Sequence, residues 1–228
     1  MKPMKTKIFL TTYISAILLL LLFSCEKDNF SAPESMLSGK ITYNDESIGV
    51  RSNALQLELW QHGYQNFTKI PVHIDQDGTF SAMLFDGNYK LVRMNGAPWE
   101  NNTDSIDVVV KGNTVVDVPV VPYFTISNAA YSRNAKQITA TFTVNRVSNQ
   151  RELRAVRLFL GKTIITDNGY NIANAEKPAS EVTLGTTVTL TVTIPDSHTE
   201  KFLYARIGVE TEGIGQLLYS PSEKIQLD

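Results

Sequence analysis

The sequence has little of what metal, redox or nucleotide chemistry needs. It holds one cysteine, two tryptophans and three histidines in 228 residues. A single thiol, Cys25, excludes an internal disulfide framework and a thiolate-rich metal site. His62, His73 and His198 lie far apart and without ligand spacing. The pattern puts His73 on a wet strand face and the other two in loops, so surface histidines and no metal are expected. No serine stands in a Gly-x-Ser-x-Gly elbow, and no glycine-rich phosphate loop is present. Basic residues are not in excess either, with 21 Lys and Arg against 23 Asp and Glu. No basic stripe is interleaved with aromatics, so nucleic acid is not an expected partner. No cofactor is implied.

The one long apolar run sits at the amino end. Lys2, Lys5 and Lys7 precede an apolar stretch from Ile8 to Phe23, interrupted only by Thr11, Thr12, Tyr13 and Ser15. It is somewhat shorter than the ~20 apolar residues of a permanent span, and reads as an export signal over residues 1–24. Leu22-Phe23-Ser24-Cys25 places a small residue before the thiol, as lipoprotein processing requires. Cys25 is thus expected to be acylated and to become the first residue of the mature chain. Acyl chains contribute about 0.8 kcal/mol per buried CH₂, so several of them hold a protein on a membrane. Residues 25–35 form a short tether. Its Glu26-Lys27-Asp28-Asn29 resembles the surface-export signal of Bacteroidetes lipoproteins, which implies outer-membrane display toward the cell exterior.

Threonine, valine and isoleucine are plentiful in the remainder, and helical periodicity is scarce. In residues 36–122, Leu37, Gly39, Ile41 and Tyr43 alternate with polar neighbours, as do Leu55, Leu57 and Leu59, and then Ile70, Val72 and Ile74. Turns at Asp75-Gln76-Asp77-Gly78 and Asp86-Gly87-Asn88 lead into Phe80–Leu84 and Tyr89–Leu91. Ile106, Val108 and Val110 are followed by a Gly112-Asn113 turn and Val116, Val118 and Val120. Period two buries one face of each strand and wets the other. Seven short strands of this kind make a sandwich the natural packing.

In residues 123–228, Ile138 to Val144 and Val188 to Ile194 each alternate with threonine or glutamine. Val156 to Leu160 reads as a more buried strand, followed by a turn-rich stretch from Asp167 to Ser180. Phe202 to Val209, Tyr219-Ser220 and Lys224 to Leu227 complete the pattern. The expectation is an all-β chain of two tandem antiparallel β-sandwich domains after a cleaved signal peptide.

Leu37-Ser38-Gly39-Lys40-Ile41, Asp77-Gly78-Thr79-Phe80 and Leu84-Phe85-Asp86-Gly87-Asn88-Tyr89 resemble a transthyretin-like or carboxypeptidase-regulatory-like sandwich. The resemblance implies that the Gly-Thr-Phe and Gly-x-Tyr elements open hairpin-paired strands. Tyr204-Ala205-Arg206-Ile207, then a turn and a serine-led last strand, resemble the end of a fibronectin type III or immunoglobulin-like sandwich. The mature chain as a whole resembles two-domain Bacteroidetes lipoproteins of unassigned function, encoded beside starch-utilisation-type glycan transporters. This implies a non-catalytic accessory of polysaccharide uptake, either binding glycan or supporting the transporter complex. Two alternatives stand beside it: an assembly protein touching only other envelope proteins, and a surface glycan hydrolase.

Candidate ligand contacts are aromatics that core packing does not need. Trp60 shares the Gln56 and Glu58 face of its strand, and Tyr64 follows in a loop. Trp99 lies in the polar connection Asn95-Gly96-Ala97-Pro98-Trp99-Glu100-Asn101-Asn102. An indole can stack on the apolar face of a sugar ring while Asn and Glu bond its hydroxyls. Asp75-x-Asp77-Gly78 matches the start of a calcium loop but lacks the later ligands, and a hairpin turn explains it as well. Glu58, Glu100 and Asp104 are carboxylates from which a glycosidase pair could be drawn. Asp104-Ser105-Ile106 resembles an O-glycosylation signal of exported Bacteroidetes proteins, making Ser105 a candidate acceptor.

Overall fold

A computed structural model describes residues 31–63 and 67–227. The signal, Cys25 and Tyr64 lie outside these residues. Among the described residues the protein is all-β, with one three-residue helical turn at Ala179–Glu181.

The first sandwich is built from β1 (Ser35–Tyr43), β2 (Glu46–Ser47), β3 (Gln56–Trp60), β4 (Ile70–His73), β5 (Thr79–Leu84), β6 (Gly87–Arg93), β7 (Ile106–Val110), β8 (Thr114–Val115) and β9 (Val118–Pro119). One sheet runs β2-β1-β5, with β8 and β9 also on β1, and the other runs β4-β3-β6-β7. The inward residues of both sheets, among them Leu37, Ile41, Leu57, Leu59, Phe80, Leu91 and Val108, form one core.

Two details differ from the sequence expectation. β5 and β6 are not hairpin partners: β5 pairs with β1, and β6 with β3 and β7. The turn between them crosses from sheet to sheet, held by one bond of its own and by groups outside it. The Tyr89 hydroxyl donates to the Phe85 carbonyl at 3.0 Å, and the Asp86 carboxylate accepts from the Ser35 hydroxyl and from Gly112 N–H. The strand expected at Val116–Val120 is likewise two short pieces, and both pair with β1 in parallel. The chain reaches them by crossing over from β7 in the opposite sheet, and Asp117 interrupts the ladder by accepting from Lys40 N–H. A Cβ on Gly39 would lie 1.9 Å from the Val116 carbonyl oxygen. That close approach explains the glycine in the Leu37–Ile41 element.

The second sandwich comprises β10 (Phe124–Asn134), β11 (Gln137–Arg146), β12 (Leu153–Gly161), β13 (Ala173–Pro178), β14 (Thr187–Thr193), β15 (Phe202–Thr211), β16 (Leu218–Tyr219) and β17 (Glu223–Gln226). A β10-β11-β14 sheet covers a β13-β12-β15-β16 sheet, and β17 also pairs with β15. β13 lies inside the stretch expected to be turns, and β10 had no clear signal. Each pairs on one side only, and their half-exposed small, polar and charged residues suit sheet edges.

The two sandwiches meet in a bonded seam. Gly49 and Tyr219 form a backbone bridge, and Leu218 packs into the first core. Arg206 of β15 is 1% exposed. It donates to Ser220 O at 2.8 Å within its own domain, and to Val50 O at 3.0 Å and Gln76 O at 2.7 Å in the first domain. Its guanidinium lies 4.5 Å from the Tyr219 ring centroid. Burial pulls this group down to about 10 from its ordinary 12.5, even though Tyr219, Asp167, Tyr131 and Asp77 favour the charge.

Candidate functional site

β3 lies between β4 and β6, so its pleat decides what the outer face of that sheet presents. Leu57 and Leu59 point into the core, while Gln56, Glu58 and Trp60 share the opposite face. Trp60 is half-buried, and its indole N–H donates to Glu58 Oε2 at 3.2 Å. Lys69 Nζ holds the other Glu58 oxygen at 2.5 Å. Covered by these partners, Glu58 is only 7% exposed on a face expected to be wet. The pair fixes the plane of the indole.

Two further rings extend this surface. The Phe67 ring centroid lies 5.0 Å from that of Trp60 and 4.6 Å from that of His62. Phe67 is 48% exposed, and His62 is exposed as well. The result is a row of three tilted rings with a carboxylate and an ammonium at one end. Such a row offers flat apolar faces with hydrogen-bonding groups beside them, the combination a sugar ring requires.

The other sequence candidates are dispersed. Trp99 does not join the row: it is 3% exposed and part of the first core. The β6–β7 connection folds back there, with Trp99 bridging Pro122 and Glu100 N–H donating to Val121 O. The large apolar area of the indole is thereby buried, and Trp99 is corrected from a ligand platform to a core residue. Ser105 is exposed just before β7. Glu100 accepts from Ser148, away from the partners of Glu58. Asp77 accepts from Thr79 N–H and its hydroxyl, the bonding of a tight turn. His73 is exposed, but the His198 side chain is 1% exposed, with Nε2 2.9 Å from Phe202 O. His198 is therefore a structural residue and not the expected surface one.

Sequence reasoning passed over a second feature. The loop between β12 and β13 exposes Ile164, Ile165 and Tyr170. With Arg51–Ala54 of the first sandwich, it lines a cleft of about 600 Å³. The available signal was an aliphatic pair and a tyrosine in a segment with no strand periodicity to use them.

The family model of the N-terminal domain of a protein of unknown function, DUF3823, matches residues 35–121. A domain of unknown function, DUF3823_C, matches residues 124–224. Crystal structures of DUF3823 family proteins from Bacteroides ovatus and Parabacteroides merdae are 40% and 39% identical to this chain. Each has a TM-score of 0.80 and covers 86% of this chain and 100% of its own. A "putative carbohydrate binding protein" from Bacteroides uniformis, 23% identical with a TM-score of 0.70 and the same coverage, shares the fold. No curated protein matches the chain. The two family models together span most of the sequence, and the chain belongs to the DUF3823 family.

Proposed function

We propose that this protein is a lipid-anchored, non-catalytic accessory of an outer-membrane polysaccharide-uptake system, and that it binds glycan chains on the Trp60–Phe67–His62 row. The observation that carries this reading is the row itself: three neighbouring rings, one of them oriented by Glu58, on the outer face of a sheet. Exposed aromatics cost free energy in water and imply a partner. The Cys25 signal supplies the anchor, and the residue order after it favours display on the cell exterior. Exposed Ser105 is the proposed acceptor of an O-linked sugar.

Affinity electrophoresis of the protein through gels containing a panel of polysaccharides tests the reading. Retardation by at least one glycan is expected. Its loss in Trp60→Ala is expected too, since an aromatic anchor contributes roughly 2 kcal/mol or more to such a contact. Absence of retardation by every glycan refutes glycan binding, and reducing ends released from any of them would refute the non-catalytic part.

Complex support is a second reading, favoured by a separate observation. Met83, Phe85, Val109 and Val115 of the first sandwich are all more than half exposed. Co-purification of a transporter subunit without glycan retention would select it.

A further inference from the structure

The cleft between the sandwiches has the ingredients of a built ligand site. Its second-domain wall is an ordered loop. Asp167, 1% exposed, accepts from Gly169 N–H at 2.7 Å and Tyr170 N–H at 2.9 Å, while its own N–H donates to Tyr170 O at 3.1 Å. Asn168 is clasped by the Tyr219 hydroxyl through its N–H and its Oδ1. The loop is thus fixed from within and from the seam, yet Tyr170 is 65% exposed and Ile165 45%. A rigid loop that keeps a large aromatic in water is preorganised for contact, because little side-chain or backbone freedom is lost on binding.

The first-domain wall adds the specificity. Arg51 Nε lies 3.5 Å from Asp167 Oδ1, and its guanidinium carbon stands 5.7 Å from the Tyr170 ring centroid. Asp167 therefore orients Arg51 but is itself held mainly by backbone N–H groups. Among the described residues, no hydrogen bond engages the terminal nitrogens of Arg51. Arg51 is the single charged side chain lining the cleft among the described residues, and Ser52, Asn53 and Thr163 supply neutral polar groups around it. A planar fork beside a ring face is matched to a ligand that is flat, apolar on one side, and carries a carboxylate at its edge.

We infer that this cleft is a subsite for a carboxylated sugar, a uronate unit of an acidic polysaccharide. Tyr170 stacks on the pyranose face and Arg51 pairs with the carboxylate. Ser52 and Asn53 reach the hydroxyls. This assignment rests on the glycan-binding reading above but uses other residues, Arg51, Ser52 and Asn53 in the connection before β3 and Tyr170 of the second sandwich.

Titration calorimetry on the full-length, detergent-solubilised protein tests it. The probes are trimers of galacturonate, mannuronate and guluronate, and the methyl ester of each. At least one trimer is expected to bind about tenfold or more tightly than its ester. Arg51→Gln is expected to erase that difference, and Arg51→Lys to restore it in part. Tyr170→Ala should weaken acid and ester alike by about tenfold, and Tyr170→Phe should weaken neither. Unchanged melting temperatures in Arg51→Lys and Tyr170→Phe keep the comparison free of folding defects. Equal affinity for acid and ester, or no heat with any trimer, overturns the inference. If no trimer gives heat while a neutral polysaccharide still retards the wild type but not Trp60→Ala, the cleft assignment alone has failed. If Trp60→Ala changes nothing while Arg51→Gln loses uronate, the proposed Trp60 platform has failed and the cleft stands.

Discussion

Replacing Arg206 by methionine is the sharpest probe of how the two sandwiches are held together. Methionine keeps most of the side-chain volume but removes every donor. Four carbonyls, those of Ser220, Thr166, Val50 and Gln76, lose partners at 2.7–3.4 Å, while Gln76 O keeps the Val50 N–H at 3.1 Å. A buried acceptor left unsatisfied costs roughly 1–3 kcal/mol, so the other three together cost about 3–9 kcal/mol. Removing the charge gives some of this back. The guanidinium sits at about 10 and not 12.5, and that difference corresponds to about 3 kcal/mol of unfavourable desolvation. Against the middle of that range the net loss is about 3 kcal/mol, or roughly 6–12 °C in melting temperature for a chain of this length. Both tryptophans, Trp60 and Trp99, belong to the first sandwich. Tryptophan emission therefore reports that domain, while far-UV circular dichroism reports both. In urea the two signals should coincide for the wild type and separate for Arg206→Met, because two of the four lost bonds cross the seam. A melting temperature within about 2 °C of the parent, with coincident transitions, would refute the clamp.

Two other outcomes follow from single residues. The Ser35 hydroxyl, the Gly112 N–H and the Lys111 charge hold the Asp86 carboxyl below its ordinary 3.8 against a small effect of burial. Its folded value is thus the lower one, so its contribution is complete above 3.8 and is lost as pH falls through the folded value. Melting temperatures followed from about pH 6 to about pH 2 should drop at the acid end, and Asp86→Asn should flatten that drop; an identical pH profile in the variant would rule the contribution out. Intact mass of protein purified from native membranes should show acyl chains on Cys25 and a sugar on the segment holding Ser105. Cys25→Ala should abolish incorporation of a fatty-acid label, and incorporation that persists would disprove the anchor.

Period-two alternation along Leu57–Leu59, Ile138–Val144 and Val188–Ile194 made the all-β class and the buried faces of these strands legible. An apolar side chain at every second position has one stable place to go. The Trp60 face was readable for the same reason. Pairing was not. β5 and β6 sit two residues apart in sequence but in different sheets, and Asp86 ties the turn between them to Ser35 and Gly112, far along the chain. The edge strands β10 and β13 escaped notice because a strand that buries little needs no hydrophobic pattern. Trp99 was misjudged because a polar connection can fold back and bury the one large ring it contains. The Arg206 bonds across the seam and the Arg51–Tyr170 cleft join residues separated by more than a hundred positions, and the β11–β14 and β12–β15 pairings join residues more than forty apart. Local sequence specifies propensity and face. Which faces meet is decided by the packing of the whole, and both the seam and the cleft exist only after that packing.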